Sequence, residues 1–292
     1  MHRILNFGSL NIDHVYRLSH FVKPGETLEC DQYSVFAGGK GLNQSIALAH
    51  SGLQVAHAGK IGTDGAFLKK VLQDSGVDTT HIITGCFPTG HANIQVNAAG
   101  ENCIVLYPGA NHKISEDEIL TVIGQQESGT WLMLQNEINH IPLIMKEAAK
   151  RGMKIAINPA PCTENVKEYP LDFADILFVN KIEAAQLSGC NGSFEEIAAE
   201  LSQRYPSCQI VMTLGSAGAI YRKENEQIFQ SAIPAEVVDT TSAGDTFCGF
   251  FLSSVIRGAT PAEALKYAAK AAAVTVSRPG AAVSIPYAEE IF

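Results

Sequence analysis

Along the chain, short apolar runs alternate with longer stretches in which apolar positions return every third or fourth residue. Residues 4–7, 131–134, 155–157, 176–179 and 210–213 are largely apolar runs of the first kind, the mark of a strand buried on both faces. Such strands belong inside a sheet covered on both sides. Residues 42–51, 141–151 and 197–204 have the helical spacing. Strands alternating with helices imply right-handed crossovers. The pattern therefore predicts an α/β protein with a three-layer α/β/α core and a mainly parallel sheet.

Two stretches break this rhythm. Residues 15–36 and 91–107 read as β-ribbon with no helix between strands, and Asn97-Ala98-Ala99-Gly100 reads as a hairpin turn. They predict a small β-sheet lid, 14–36 and 91–107, on a core made of 1–13, 37–90 and 108–292. The ribbon is either a moving cover or a fixed decoration. The C-terminal third is helical over 244–257 and 261–277, with Thr260 before Pro261 as an N-cap ahead of a first-turn proline.

A chain of 292 residues is long for one domain but within reach of an α/β fold with a single core. The net charge of −9 speaks against a nucleic-acid or anionic-membrane partner, because either needs a basic surface. It does not exclude a nucleotide, since a few aimed amides and a metal ion outweigh a diffuse, screened field at short range. The seven cysteines are widely spaced and nowhere form Cys-x-x-Cys, which reads as reduced thiols without metal. Met1-His2-Arg3-Ile4-Leu5-Asn6-Phe7-Gly8 has no signal-peptide character, and no apolar stretch reaches the roughly 20 residues a bilayer requires. A cytoplasmic protein is expected.

Two glycine-containing segments carry candidate chemistry. In Asp239-Thr240-Thr241-Ser242-Ala243-Gly244-Asp245-Thr246-Phe247, small residues lead into the helical apolar pattern Phe247, Phe250, Phe251, Val255. Free amides at a helix start, beside residues too small to obstruct them, make an anion site. Asp245 is then either a helix cap or an acid placed beside the bound anion. Gly38-Gly39-Lys40-Gly41-Leu42-Asn43 follows a strand-like stretch and opens a helix. It is either a tight turn or a place where backbone approaches a ligand, with Asn43 offering donors and acceptors.

The run Gly38-Gly39-Lys40-Gly41-Leu42-Asn43-Gln44-Ser45, with Gly52 and Gly62 after it, resembles the first signature of the PfkB family of sugar kinases, and 239–247 resembles its second. Gly8-Ser9-Leu10-Asn11-Ile12-Asp13-His14, Pro24-Gly25-Glu26-Thr27, Asn158-Pro159-Ala160-Pro161, Asn180-Lys181-Ile182-Glu183 and Thr213-Leu214-Gly215-Ser216-Ala217-Gly218 follow in the family's order. The resemblance thus covers nearly the whole chain.

The resemblance implies an ATP-dependent kinase for a primary hydroxyl of a small sugar, ribose first, with deoxyribose, another pentose, a keto-sugar acid or a nucleoside as neighbouring substrates. Asn11, Asp13, the Gly39-Lys40-Gly41 turn and Asn43 would bind the sugar, with Glu137 reaching in from a strand end. Asp245 would orient the attacking hydroxyl and accept its proton. The amides of Ala243, Gly244 and Asp245 would stabilise charge on the transferring phosphoryl group. Asn180, Glu183, Thr213, Gly215, Ser216, Gly218 and Gly244 would serve ATP, with Asn180 and Glu183 holding the hydration shell of Mg²⁺. An N-cap with a first-turn acid accounts for Asn180-x-x-Glu183 equally well. Family members activated by a monovalent cation point to a K⁺ site at Asp239, Thr241, Thr275, Arg278 (through its carbonyl), Gly280 and Ser284. A homodimer paired through the lid is also implied.

Two other classes fit less well. A nicotinamide-dependent oxidoreductase would need a third glycine that Gly39-Lys40-Gly41-Leu42-Asn43-Gln44 lacks, and no Walker A loop is present either. A sugar-binding protein without catalysis would not need every catalytic position filled.

Overall fold

From the start of the chain, β1 (Arg3–Phe7) leads into β2 (Asn11–Arg17), β3 (Gln32–Gly38) and α1 (Lys40–His50). β4 (Gln54–Ile61), α2 (Ala66–Asp74) and β5 (Asp78–Thr84) follow, then β6 (Gly90–Val96) and β7 (Asn102–Tyr107). The second half runs α3 (Glu116–Gly124), β8 (Trp131–Gln135), α4 (Ile141–Lys150), β9 (Lys154–Asn158) and β10 (Ile176–Asn180). It continues through α5 (Lys181–Ser188), α6 (Phe194–Arg204), β11 (Gln209–Thr213), β12 (Gly218–Lys223) and β13 (Glu226–Ser231) to α7 (Ala243–Ile256) and α8 (Pro261–Val276). The structure, a computed structural model, describes residues 3–292; Met1 and His2, where the expected core segment begins, lie outside the described residues.

The main sheet has the order β13-β12-β11-β10-β9-β8-β1-β4-β5. Every neighbouring pair from β5 to β11 is parallel, and β12 and β13 add an antiparallel hairpin at one edge. The apolar strand runs explain the layers. Ile4, Met133, Phe178 and Val211 point to the face covered by α1, α2, α7 and α8, while Leu5, Leu132, Leu177 and Ile210 point to the face covered by α3–α6. Helix starts are written locally: Ser115 with Glu118, Asn180 with Glu183, Ser193 with Glu196 and Thr260 with Glu263 all form capping boxes. Among the described residues no helix is long and apolar enough to cross a membrane.

Four strands stand apart in the order β3-β2-β6-β7, with β2 and β6 parallel and the outer pairs antiparallel. The β6–β7 turn falls at Asn97–Gly100, where the Gly100 amide donates to the Asn97 carbonyl. This lid sheet is rooted in the core, because Asn11 pairs with Gly38 on one side and Gly90 on the other. The chain leaves β1 towards β4 on one side and reaches β8 on the other only later, so a topological switch point lies at β1. In open parallel sheets the ligand crevice forms beyond the carboxyl ends of the strands at such a point.

Candidate active site

The carboxyl ends of β1, β8, β9, β10 and β11 deliver Ser9, Glu137, Asn158, Asn180 and Thr213 to one crevice. The start of α1 enters it from the side. Gly39, with φ of 95°, turns the chain from β3 into that helix, a conformation costly for other residues. Gly41 lies so close to the β1 exit that an added Cβ would come within 2.3 Å of the Ser9 amide nitrogen. The glycine cluster is therefore the tight turn, packed closely against the chain's own β1 exit.

The sugar-side candidates meet here. Glu137 Oε2 accepts from Ser9 Oγ at 2.5 Å and from the Lys40 amide at 2.9 Å, while Ser9 Oγ accepts from the Gly41 amide at 3.1 Å. Asn11 Oδ1 accepts from Asn111 Nδ2 at 2.8 Å. Burial, with Glu137 close by, pushes the Asp13 carboxyl up to about 7. Burial also raises Glu137, opposed by Lys40 and by its hydrogen bonds. The Lys40 ammonium is raised, chiefly by Asp245 and against the effect of burial. Two carboxylates and one ammonium sharing a half-enclosed space form a polar recess suited to an uncharged, hydroxyl-rich ligand.

Asp245 lies in the first turn of α7 and is 7% exposed. It does not cap the helix; its partners lie on another one. Asn43 Nδ2 donates to its Oδ2 at 3.0 Å and Gln44 Nε2 to its Oδ1 at 2.9 Å, so the start of α1 grips the start of α7 across 202 residues of sequence. Ser242, with φ of 60°, breaks the chain just before the helix. The amides of Gly244 and Asp245 have no protein acceptor among the described residues, whereas the Ala243 amide, the third expected member of the anion hole, donates to the Thr240 carbonyl at 3.3 Å. Gly244 is exposed in the crevice. Two free amides at the N-terminus of a 14-residue helix, beside a buried carboxylate, can hold an anion against an acceptor hydroxyl.

A polar cleft of about 210 Å³ runs from Asp245 and Lys40 past Asn158, Asn180 and Glu183. It shares Thr213, Thr240 and Gly244 with a larger, mostly apolar cavity of about 520 Å³, walled by Gly215, Ser216, Gly218, Ile233, Phe247 and the small residues of α8. The order is base-sized apolar pocket, polar cleft, carboxylate. Asn180 and Glu183 form the capping box of α5, Glu183 Oε2 accepting from the Asn180 amide at 2.8 Å, as the cap reading expects, and they also line the cleft.

The expected cation residues form the adjoining loops. Asp239 Oδ1 accepts from the Thr241 amide and hydroxyl, and Oδ2 accepts from the Gly280 amide at 3.0 Å. Burial opposes the charge on Asp239, but these bonds outweigh it and hold the carboxyl below the usual range. Ser284 Oγ donates to the Ala281 carbonyl, Thr275 Oγ1 donates to Thr246 Oγ1, and the Arg278 guanidinium is engaged by Glu290. Sequence reasoning passed over Ser9, Gln44, Asn111 and Asn158 as site residues. Ser9 and Gln44 sit inside the two quoted runs next to singled-out residues, so adjacency was the available signal.

A helix start with open amides, an oriented carboxylate, a polar recess and a base-sized apolar pocket beside them define a phosphotransferase acting from a nucleotide onto an alcohol. The model of the pfkB family carbohydrate kinases matches residues 1–288, and the chain belongs to that family. The ribokinase of Haemophilus influenzae is 35% identical over 291 residues, spanning 97% of this chain and 95% of that one. The deoxyribokinase of Salmonella typhi is 28% identical, with 97% and 95% covered. The structure of Arabidopsis thaliana ribokinase complexed with ribose and ATP superposes with a TM-score of 0.89 at 31% identity, covering 100% of this chain and 98% of that one.

Proposed function

We propose that this protein is an ATP-dependent ribokinase, transferring the γ-phosphate of ATP to the 5-hydroxyl of ribose. The observation that carries the reading is the Asp245 carboxylate, held by Asn43 and Gln44 between the polar recess and the open amides of α7. Ribose hydroxyls fit a recess rich in acceptors: Asn11, Asp13 and Glu137 bind and orient the sugar, with Lys40 balancing the carboxylates. Asp245 aligns the 5-oxygen and takes its proton, while the Gly244 and Asp245 amides stabilise the transferring phosphoryl oxygens. The apolar cavity along Gly215–Gly218 and α8 takes the base. Mg²⁺, arriving with ATP, supplies charge neutralisation at the phosphates. Asn180 and Glu183 suit its water shell, since Glu183 uses Oε2 for the cap and keeps its second oxygen for solvent or ligand.

The paired loops around Asp239, Thr241, Thr275, Arg278, Gly280 and Ser284 offer carbonyls and one carboxylate beside the start of α7, a donor set suited to K⁺. By this reading 14–36 and 91–107 are the lid over the sugar, and the enzyme works in the cytoplasm. ADP release assayed with ribose, deoxyribose, other pentoses and nucleosides, in K⁺ and in Na⁺ buffers, tests these points. Ribose should have the highest kcat/KM and K⁺ should raise turnover. No sugar-dependent ADP release, or a clear preference for a nucleoside, would refute the substrate, and equal rates in both buffers would refute the activator. A site that hydrogen-bonds the 2-hydroxyl would reject deoxyribose by leaving polar groups unpaired, so the kcat/KM ratio of the two sugars reads whether this one does.

The lid also supports a dimer. Tyr33, Val35, Phe36, Ile104, Val105, Leu106 and Tyr107 are exposed apolar residues on its two outer strands, and such edges are normally covered. Light scattering at micromolar protein should give twice the mass of one chain; the mass of a single chain would exclude pairing.

A further inference from the structure

Behind Asp245 lies a chain of buried amides that meets the cleft only through Gln44, whose nitrogen donates to Asp245 Oδ1 at 2.9 Å and to Asn158 Oδ1 at 3.3 Å. Gln44, Gln135 and Asn6 have no solvent exposure. Gln135 Nε2 donates to Gln44 Oε1 at 2.6 Å and to Asn6 Oδ1 at 3.0 Å. Asn6 Nδ2 donates to the Gly41 carbonyl at 2.7 Å and to Ser45 Oγ at 2.8 Å. Ser45 Oγ is in turn 2.7 Å from His57 Nδ1.

The two ends of this chain fix its polarity. The Gly41 carbonyl only accepts, so Asn6 must face it with its nitrogen and turn its oxygen to Gln135. The Asp245 carboxylate only accepts when ionised, so Gln44 must face it with nitrogen and offer oxygen to Gln135. Gln135 therefore has to donate in both directions; the flipped amide would set oxygen against oxygen twice. Ser45 accepts from Asn6 and pairs with His57 Nδ1, the imidazole tautomer setting which of the two donates. That suits an imidazole kept neutral by complete burial, with its pKa lowered to about 4.

We propose that Gln135 is a positioning residue for phosphoryl transfer: by pairing the Gln44 oxygen it holds the Gln44 amide in place, and so fixes how Asp245 presents its carboxylate to the acceptor hydroxyl. The inference rests on Asp245 as the base. Gln135 itself closes β8, two residues before Glu137. Low dielectric makes such a fully directed network rigid, and without its central donor the Gln44 oxygen is left buried and unpaired, so the amide shifts and loosens its hold on the Asp245 carboxylate.

Two variants test this, with Asp245→Asn in parallel. Gln135→Met keeps length and volume but removes both donors. Its kcat should fall about 10–100-fold, while KM for ribose and for ATP moves less than about 3-fold and near-UV circular dichroism stays native. Gln135→Glu keeps the shape but donates only when protonated, so its kcat relative to the unaltered enzyme should rise as pH falls, a trend a purely structural defect does not produce. A Gln135→Met enzyme within about 2-fold of the parent kcat overturns the positioning role. So does a pH-independent ratio for Gln135→Glu. Turnover retained in Asp245→Asn would remove the base and the positioning role together. Loss there with intact Gln135 variants would remove the positioning role alone.

Discussion

Asp245→Asn is expected to lower kcat by about 10³-fold or more, with KM for ATP changing little. Two effects act together. The amide does not accept the proton of the 5-hydroxyl, and it does not satisfy its neighbours either: Asn43 and Gln44 both donate to the carboxylate, one to each oxygen. An asparagine has one acceptor oxygen, so its nitrogen would oppose one of those donors and tilt the group away from in-line geometry. Steady-state kinetics, with ribose binding measured by calorimetry, separate the two. Intact sugar affinity with lost turnover places the defect in the transition state; near-parental kcat would mean that another group activates the hydroxyl.

Asp13→Asn should act in opposite directions on binding and on stability. A carboxylate accepting from sugar hydroxyls makes charge-assisted bonds, so ribose KM should rise about 10–100-fold above pH 7. The same carboxyl is strained in the free protein, since burial and Glu137 raise it to about 7 against an ordinary value of about 3.9. The folded state then holds the proton more tightly than the unfolded chain. The contribution of Asp13 to stability is therefore fullest below pH 4, declines as pH rises from about 4 to 7, and is lost above. The variant escapes that decline. It should be more stable than the parent at pH 8 by on the order of 2 kcal/mol, after discounting for partial exposure, and little different at pH 4. Thermal melts at both pH values check this. In the parent, ribose KM should fall as pH rises through 7. A variant with unchanged KM and unchanged melting at pH 8 would remove Asp13 from the recess.

Much of this arrangement could be read from local pattern. The strand runs at 4–7, apart from Asn6, and at 131–134 are apolar at successive positions because both faces are covered, and they lie in β1 and β8. Asp245 stood out because small residues precede an apolar helical pattern, which is a local signal. β4 was harder. It carries His57 and Lys60 within an otherwise apolar stretch, and both are tolerated through distant partners: Lys60 Nζ reaches Glu118 and the Lys113 carbonyl. Gln135 was also illegible, because its meaning lies in Asn6, 129 positions earlier, and Gln44, 91 positions earlier. A lone glutamine at a strand end carries no sign of such pairings. The Asn180–Glu183 pair could not be resolved because a helix cap and a cleft wall place the same demands on the same two side chains.

The lid's lowest rung pairs Asn11 with Gly38 and Gly90, two residues from Asp13 and one from the turn at Gly39. On the proposed reading, sugar recognition is thus built into the root of the cover rather than beneath it. Rocking the ribbon would be felt first at the hydroxyl contacts and only then, through α1, at the carboxylate. A lineage could retune which polyol it accepts by reshaping strands that never approach the phosphates, leaving the transfer machinery untouched.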